Sequence, residues 1–412
     1  MGREFLDIKD PDDVKRIIAN IPIKKRVEKV SIENSLTRIL SEDINATINL
    51  PPFRRVQMDG YAVIAEDTFN ASEENPVRLK LLEVVGAGDV PAKKLTNGFC
   101  TEVSTGAPVP EDANGVVMVE FTDTKDGEIL IYESAAIGQN IAKVGSDIKV
   151  GELLLKSFTQ ITPDKIGVLS AIGLREVPVF KKPRVAIIST GNEIISNDEE
   201  LTYGKIYDIN SQTISSAVKS CGCLPLHTEI VKDDYNSLKD KINEFKDVDL
   251  FITSGSTSAG TGDILRDVLD DIGEVIVHGV SVKPGKPTII GRLRKGKFLF
   301  GLPGNPAAAI MVFHIFFAPF LRKMASIDML VDQNKGVVEL VLSRRYRPAR
   351  GRTHYLLVKI DGKNAIPILK DSGAITALAE ADGFIEISKN AEILEKGINV
   401  KVFPLSGLIN PI

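Results

Sequence analysis

The chain has 412 residues, two to four times the size of a single domain, so several domains are expected. Hydrophobic residues make 43% and charged residues 26%, a globular balance that leaves little room for extended disorder. With 51 Lys and Arg against 55 Asp and Glu the net charge is −4, which argues against a chain-wide grip on nucleic acid or an anionic membrane while leaving room for a local basic pocket.

The start, Met1-Gly2-Arg3-Glu4-Phe5-Leu6, lacks the apolar core of a signal peptide, and Leu6 breaks a myristoylation pattern. Charged and apolar positions alternate up to about residue 45, as in Val27-Glu28-Lys29-Val30, and Glu33-Asn34-Ser35 precedes a helix-like run to Ile44. Short β-type runs follow at Leu79–Val85, Val116–Phe121 and Ile129–Tyr132, punctuated by Gly and Pro. Thr162–Ala171 reads as helical, and the Pro-containing link Glu176–Pro183 is the expected domain boundary.

From Arg184 the pattern changes. Val185-Ala186-Ile187-Ile188 is a buried strand, Ser211–Lys219 a helix, Leu226 the centre of a strand and Tyr235–Phe245 a helix. Leu250–Thr253 and Phe298–Leu302 are further strands, the last feeding a long helix opened by Asn305-Pro306. This alternation predicts a parallel α/β sheet covered on both faces. The apolar stretch Ala307–Leu321 is too short to span a bilayer, carries His314 and reads as a buried helix. Beyond Val331, runs at Val337–Leu342, His354–Ile360 and Asn399–Phe403 predict a small C-terminal β domain. Cys221 and Cys223 stand as C-x-C and no His pair has zinc-ligand spacing, so the three cysteines read as free thiols in a soluble, cytoplasmic protein.

In open α/β sheets ligands bind beyond the carboxyl ends of the strands. Here those ends carry small-residue loops, Thr190-Gly191-Asn192-Glu193, Ser254-Gly255-Ser256-Thr257-Ser258-Ala259-Gly260 and Leu302-Pro303-Gly304-Asn305-Pro306, through which a phosphorylated ligand can reach backbone N–H groups. Glu193, Asp208 and Asp263 lie beside them, and carboxylates next to phosphate suggest Mg²⁺ on Glu193 or Asp263. Asp263 also suits a helix N-cap before Ile264-Leu265. Lys283-Pro284-Gly285-Lys286-Pro287 presents two lysines on a stiffened turn and fits a small oxyanion; it lacks the spacing and hydroxyl of a Walker A loop. Met58-Asp59-Gly60 and Ser104-Thr105-Gly106 read as turns by themselves.

Taken together, these segments resemble the MoeA-type molybdopterin molybdenumtransferases, the family that includes the gephyrin E domain and its plant counterpart. The co-ordered runs are PPFRRVQMDGYAV at 51–63, STGAPVPEDANGVVMVE at 104–120, GSDIKVGELL at 145–154, VAIISTGNEI at 185–194 and GKIYDINS at 204–211. ITSGSTSAGTGD at 252–263, VKPGKP at 282–287, GLPGNPAAA at 301–309, GRTHY at 351–355 and SGAITALAEADGFI at 372–385 continue them.

The resemblance implies a multidomain α/β plus β protein. An extended N-terminal domain (1–45 and 140–180) is interrupted by a mostly β domain (46–139), and a MogA-like α/β domain (181–328) and a barrel-like C-terminal β domain (329–412) follow. The implied activity inserts molybdate into adenylylated molybdopterin and releases AMP, with Mg²⁺ as cofactor. The same resemblance implies a homodimer whose cleft is shared across subunits, and transient contact with a molybdopterin adenylyltransferase and acceptor enzymes. Carried over by position, Lys283, Lys286, Pro287, Arg352 and Ser372 bind molybdate. Asp59, Glu193 and Asp263 are catalytic, the last two also holding the metal. Thr105, Asp147, Thr190, Asp208, Ser254, Gly255, Ser256, Pro303, Gly304, Asn305 and Pro306 contact the pterin nucleotide. The chain departs from the family pattern through residues 254–260, at Ala308 and at Val56. Tungstate in place of molybdate, a pterin-binding scaffold, and an adenylyltransferase (usually the α/β domain alone) are the competing readings.

Overall fold

Six strands between Gly60 and Ile131 hydrogen-bond in the order 115–118, 60–63, 99–103, 77–85, 128–131, 122–125. They belong to a computed structural model that describes residues 7–255, 263–327, 336–371 and 373–405. In it, residues 29–179 form one compact unit, and residues up to 28 with those from 180 onward form another.

In the first unit the sheet is covered on both faces. Ala62 and Val116 face a cluster with Val56, Val85 and Val103, whereas their neighbours Tyr61, Val63 and Val117 face one with Leu79, Cys100 and Ile131. That is the period-two alternation of a strand with no solvated side, and it explains why all four residues of Gly60–Val63 are buried. Gly60 opens this strand, and a Cβ there would lie 2.0 Å from the Val117 carbonyl oxygen. Its small size serves close strand approach more than the turn that Asp-Gly suggests.

A second cluster in the unit joins Leu40 and Ile44 to Ile161, Leu169, Ile172 and Val179, packed by the helix Pro163–Ala171. The helix-like run before Ile44 is not a helix. Only Ile32–Asn34 makes a 3₁₀ turn, after which Ile39 bridges to Gln160, Leu40 to Val179, and Ile44–Asn45 pairs with Leu153–Leu155. Leu36, Ile39, Leu40 and Ile44 have helical spacing, but cross-chain pairing satisfies their backbone instead.

In the second unit the six-stranded sheet has the order 224–231, 184–190, 250–254, 298–302, 289–293, 273–278. The first four strands are parallel, and the last two are antiparallel additions at one edge, so the sheet is mixed. Val185, Ile187, Ile252 and Phe300 face one core, with the helices Asn210–Ser220 and Pro306–Met324. Ala186, Ile188, Phe251 and Leu299 face the other, with Tyr235–Glu244 and Ile264–Ile272. The helix Pro306–Met324 passes through a π-helical turn at Phe313–Phe317 and is mostly buried, Phe317 stacking on Phe300 with ring centroids 4.2 Å apart. A helix the sequence reading missed, Pro11–Ala19, adds Val14 and Ile18 to this core; Asp10 caps it by accepting the Asp12 N–H at 3.1 Å.

The C-terminal strands close on themselves in the order 353–361, 364–367, 338–342, 399–404, 383–387 and back to 353–361, a five-stranded barrel. The two-residue strand Val282–Lys283 pairs in parallel with Thr353–His354, setting Val282 opposite Thr353 and Lys283 opposite His354. This pairing carries the lysine turn onto the edge of the barrel.

Candidate active site

Strands 184–190, 250–254 and 298–302 run parallel, so their carboxyl ends emerge together and their loops bound one cleft of about 1400 Å³. Thr190, Glu193, Asp208, Ser254, Gly255, Pro303, Gly304, Asn305 and Pro306 all line it. Asn210 ties the loops together: its amide donates to Ser254 Oγ and to the Gly304 carbonyl, both at 2.7 Å. Ser254 Oγ donates to the Pro303 carbonyl at 3.3 Å, and Thr190 Oγ1 donates to the Ser254 carbonyl at 3.3 Å. Gly255, at φ +97°, has no room for a side chain, since a Cβ would sit 2.3 Å from the Thr190 carbonyl oxygen. The close backbone approach inferred from small residues is thus a steric requirement here.

Asp208 is only 6% exposed. Its Oδ1 accepts from Ser189 Oγ at 3.1 Å and from the Ser211 N–H at 3.0 Å, whereas Oδ2 is buried with no protein partner. A buried carboxylate oxygen left over in a cleft wall is an acceptor available to a ligand donor.

Lys283, Lys286, Pro287 and Arg352 line the same cleft. The lysine turn is braced from behind, where the buried Thr288 hydroxyl donates to the Gly285 carbonyl at 2.7 Å. A Cβ on Gly285 would lie 2.3 Å from Val312 Cγ2, so the turn presses directly on the apolar helix. Three cations on a supported turn and a strand edge suit a tetrahedral dianion.

Glu193 is an exposed carboxylate of the cleft, whereas Asp263 is not among the described residues lining it. Asp263 caps the helix Ile264–Ile272, Oδ1 accepting the Arg266 N–H at 3.2 Å, and Oδ2 lies 2.6 Å from His278 Nε2. Both of its oxygens are therefore engaged, and among the described residues no three His, Cys, Asp or Glu side chains gather as metal ligands. Ser256 and Ser372 lie outside the described residues.

The first unit has its own groove, lined by Thr105, Gly106, Asn140 and the segment Arg55–Met58. At its edge the Thr105 N–H donates to Asp59 Oδ1 at 2.6 Å. This bond, with a second from the Thr105 side chain, holds the Asp59 carboxyl below the usual carboxylate range. Asp147 is exposed and is not among the residues lining this groove.

Three family models match successive parts of the chain: MoeA N-terminal region (domain I and II) over residues 10–173, "Probable molybdopterin binding domain" over 186–323, and MoeA C-terminal region (domain IV) over 339–405. A molybdopterin biosynthesis protein of Methanocaldococcus jannaschii is 36% identical over 390 residues, covering 92% of this chain and 93% of its own. The chain belongs to the MoeA family. A molybdopterin molybdenumtransferase of Bacillus subtilis is 32% identical over 404 residues, covering 95% of this chain and 93% of its own. The crystal structure of a MoeA protein from Pyrococcus horikosii superposes with a TM-score of 0.84 at 39% identity, over 97% of this chain and 99% of that one.

Within the MoeA framework two departures have simple physical settings. Val56 is fully buried in the cluster of Ala62 and Val116, so it is a core position. Ala308 is buried at the start of the apolar helix and borders the cleft. The cleft also exposes residues that sequence reasoning did not single out, among them Lys205, Asp233, Tyr346 and His354. Only the GRTHY run pointed toward His354, and nothing marked Tyr346. Cys100, Cys221 and Cys223 are free and buried, and burial pushes all three thiols upward, Cys100 to about 12.

Proposed function

We propose that this MoeA-family protein is a cytoplasmic enzyme catalysing the last step of molybdenum cofactor biosynthesis. Molybdate enters adenylylated molybdopterin, the adenylyl phosphoanhydride is hydrolysed, and AMP leaves. The observation that carries this reading is one cleft with two chemistries: strand-end loops open to a phosphorylated ligand, and three cations, Lys283, Lys286 and Arg352, on its wall. The unpartnered Asp208 Oδ2 supports it further, because a pterin ring system offers N–H donors to such an acceptor.

In this reading Lys283, Lys286, Pro287, Arg352 and Ser372 hold the oxyanion, and Thr190, Asp208, Ser254, Gly255, Ser256 and Pro303–Pro306 hold the pterin nucleotide. Mg²⁺, where it takes part, neutralises phosphate charge beside Glu193; Asp263 would have to share a carboxylate already bound to His278. Asp59, Thr105 and Asp147 act from a second subunit of a homodimer. The proposed domains are 1–45 with 140–180, 46–139, 181–328 and 329–412.

The test is AMP release from adenylylated molybdopterin by the purified protein, with molybdate and tungstate supplied separately. Oxyanion-dependent AMP release with metal retained on the pterin is the expected result. Tight pterin binding with no AMP release under either oxyanion would instead make the protein a carrier.

A further inference from the structure

His354 and Tyr346 are in contact with each other, and both line the cleft that holds Lys283, Lys286 and Arg352. His354 sits opposite Lys283 in the parallel pair that ties the lysine turn to the barrel, two residues beyond Arg352. It is only 5% exposed, yet it borders the cleft, as does the half-buried Tyr346. The Ala349 N–H donates to His354 Nδ1 at 3.5 Å, and the Tyr346 hydroxyl lies 3.3 Å from His354 Nε2.

These two contacts decide where the protons are. A nitrogen that accepts from a backbone N–H carries none of its own, so the ring proton of neutral His354 is on Nε2. Nε2–H then donates to the Tyr346 oxygen, and the phenolic hydrogen is left to donate elsewhere. Burial and the neighbouring Lys283 hold His354 down at about 4, and burial pushes Tyr346 upward, so both stay neutral near pH 7. The rings also meet edge to face, 5.5 Å between centroids, which restricts the phenol's swing.

We infer that the Tyr346 hydroxyl is a further oxyanion-binding donor of this cleft, and that His354 is the positioning residue that aims it. The inference rests on the proposed function and deepens it. A neutral donor adds directional selection to cations that attract any anion, without adding another positive charge to the repulsion among Lys283, Lys286 and Arg352.

The test is calorimetric titration of the full-length protein with molybdate at several salt concentrations. Tyr346→Phe keeps the edge-to-face ring contact with His354 and removes the hydroxyl, and with it both the bond to the oxyanion and the acceptor for His354 Nε2–H. It should weaken binding about tenfold or more. Because no charge is lost, the slope of affinity against salt should stay that of the wild type, whereas Lys286→Ala should flatten it. His354→Leu should weaken binding similarly, and His354→Gln, which restores an N–H donor, should recover much of the loss. In the Tyr346→Phe background His354→Leu should add little, a non-additivity that a merely structural histidine would not show. Wild-type affinity in Tyr346→Phe overturns this inference alone. A wild type that binds no oxyanion overturns the proposed function and this inference with it.

Discussion

The Asp263 carboxylate caps a helix with one oxygen and lies 2.6 Å from His278 Nε2 with the other. The two side chains are only 13% and 12% exposed, so this pair is a part-buried brace at the start of the helix Ile264–Ile272. Asp263→Asn keeps an acceptor for the Arg266 N–H and should cost little stability, whereas Asp263→Ala should cost about 1–2 kcal/mol. Thermal denaturation of both variants checks this. An Asp263→Asn protein that keeps its stability and loses Mg²⁺-dependent turnover would restore the metal-ligand role to this residue.

Asn210 bridges two strand-end loops with a single amide, donating to Ser254 Oγ and the Gly304 carbonyl. Asn210→Ala leaves the buried Ser254 hydroxyl and the more exposed Gly304 carbonyl without that donor and should lower stability by about 1–3 kcal/mol. Because the released groups belong to the cleft floor, KM for the pterin substrate should rise by a larger factor than KM for molybdate. Denaturant unfolding and steady-state kinetics with each substrate varied in turn would measure both effects.

Gly255→Ala places a methyl group where the Thr190 carbonyl already lies, at a backbone conformation that L residues avoid. The expected cost is about 1–2 kcal/mol from the backbone alone. Gly304→Ala is the comparison: its Cβ would meet only Gly255 Cα at 3.7 Å, an ordinary contact. Gly255→Ala should therefore lose pterin binding at a temperature where Gly304→Ala still folds and binds.

Two histidines make stability depend on pH. Burial, with smaller repulsions from Lys283 and Arg322 respectively, holds His354 and His314 each at about 4. Between pH 4 and the ordinary histidine value near 6.5 the unfolded chain binds more protons than the folded one, so stability rises with pH across that window. It is lost as the pH falls back toward 4, where the folded protein must bury an imidazolium. The melting temperature of the wild type should fall relative to that of a His314→Gln, His354→Gln variant as the pH drops from 6.5 to 4. Parallel profiles would remove these histidines as the cause.

The reading of the sequence succeeded where one local signal carried the whole answer. Val185–Ile188, Leu250–Thr253 and Phe298–Leu302 are apolar runs each followed within three residues by Gly, and those alone announce parallel strands with a binding edge. Helix Pro11–Ala19 had a signal, Asp10-Pro11 ahead of periodic apolar residues, that was overlooked beside the charged N-terminal stretch. The antiparallel strands 273–278 and 289–293 are short and flank the lysine turn, so their apolar residues gave no separate periodicity. Site residues followed the same rule. The loop residues were legible as runs, but Tyr346 borders the cleft from a segment held outside the strands by its bridge to Leu394, and His278 meets Asp263 across 15 residues of helix and strand. No local pattern encodes such meetings.

The pairing of Val282–Lys283 with Thr353–His354 is only two residues long, yet it joins the lysine turn to the barrel edge that Arg352 precedes, and the cations of both line one cleft. Without an anion these like charges push against a very short seam; a bound dianion turns the same repulsion into cross-linking. Buffer composition then becomes a structural variable. Sulfate or phosphate should mimic molybdate in raising the melting temperature and in slowing amide exchange at 282–283 and 353–354, and should compete with it in turnover. A chloride buffer of equal ionic strength should do neither.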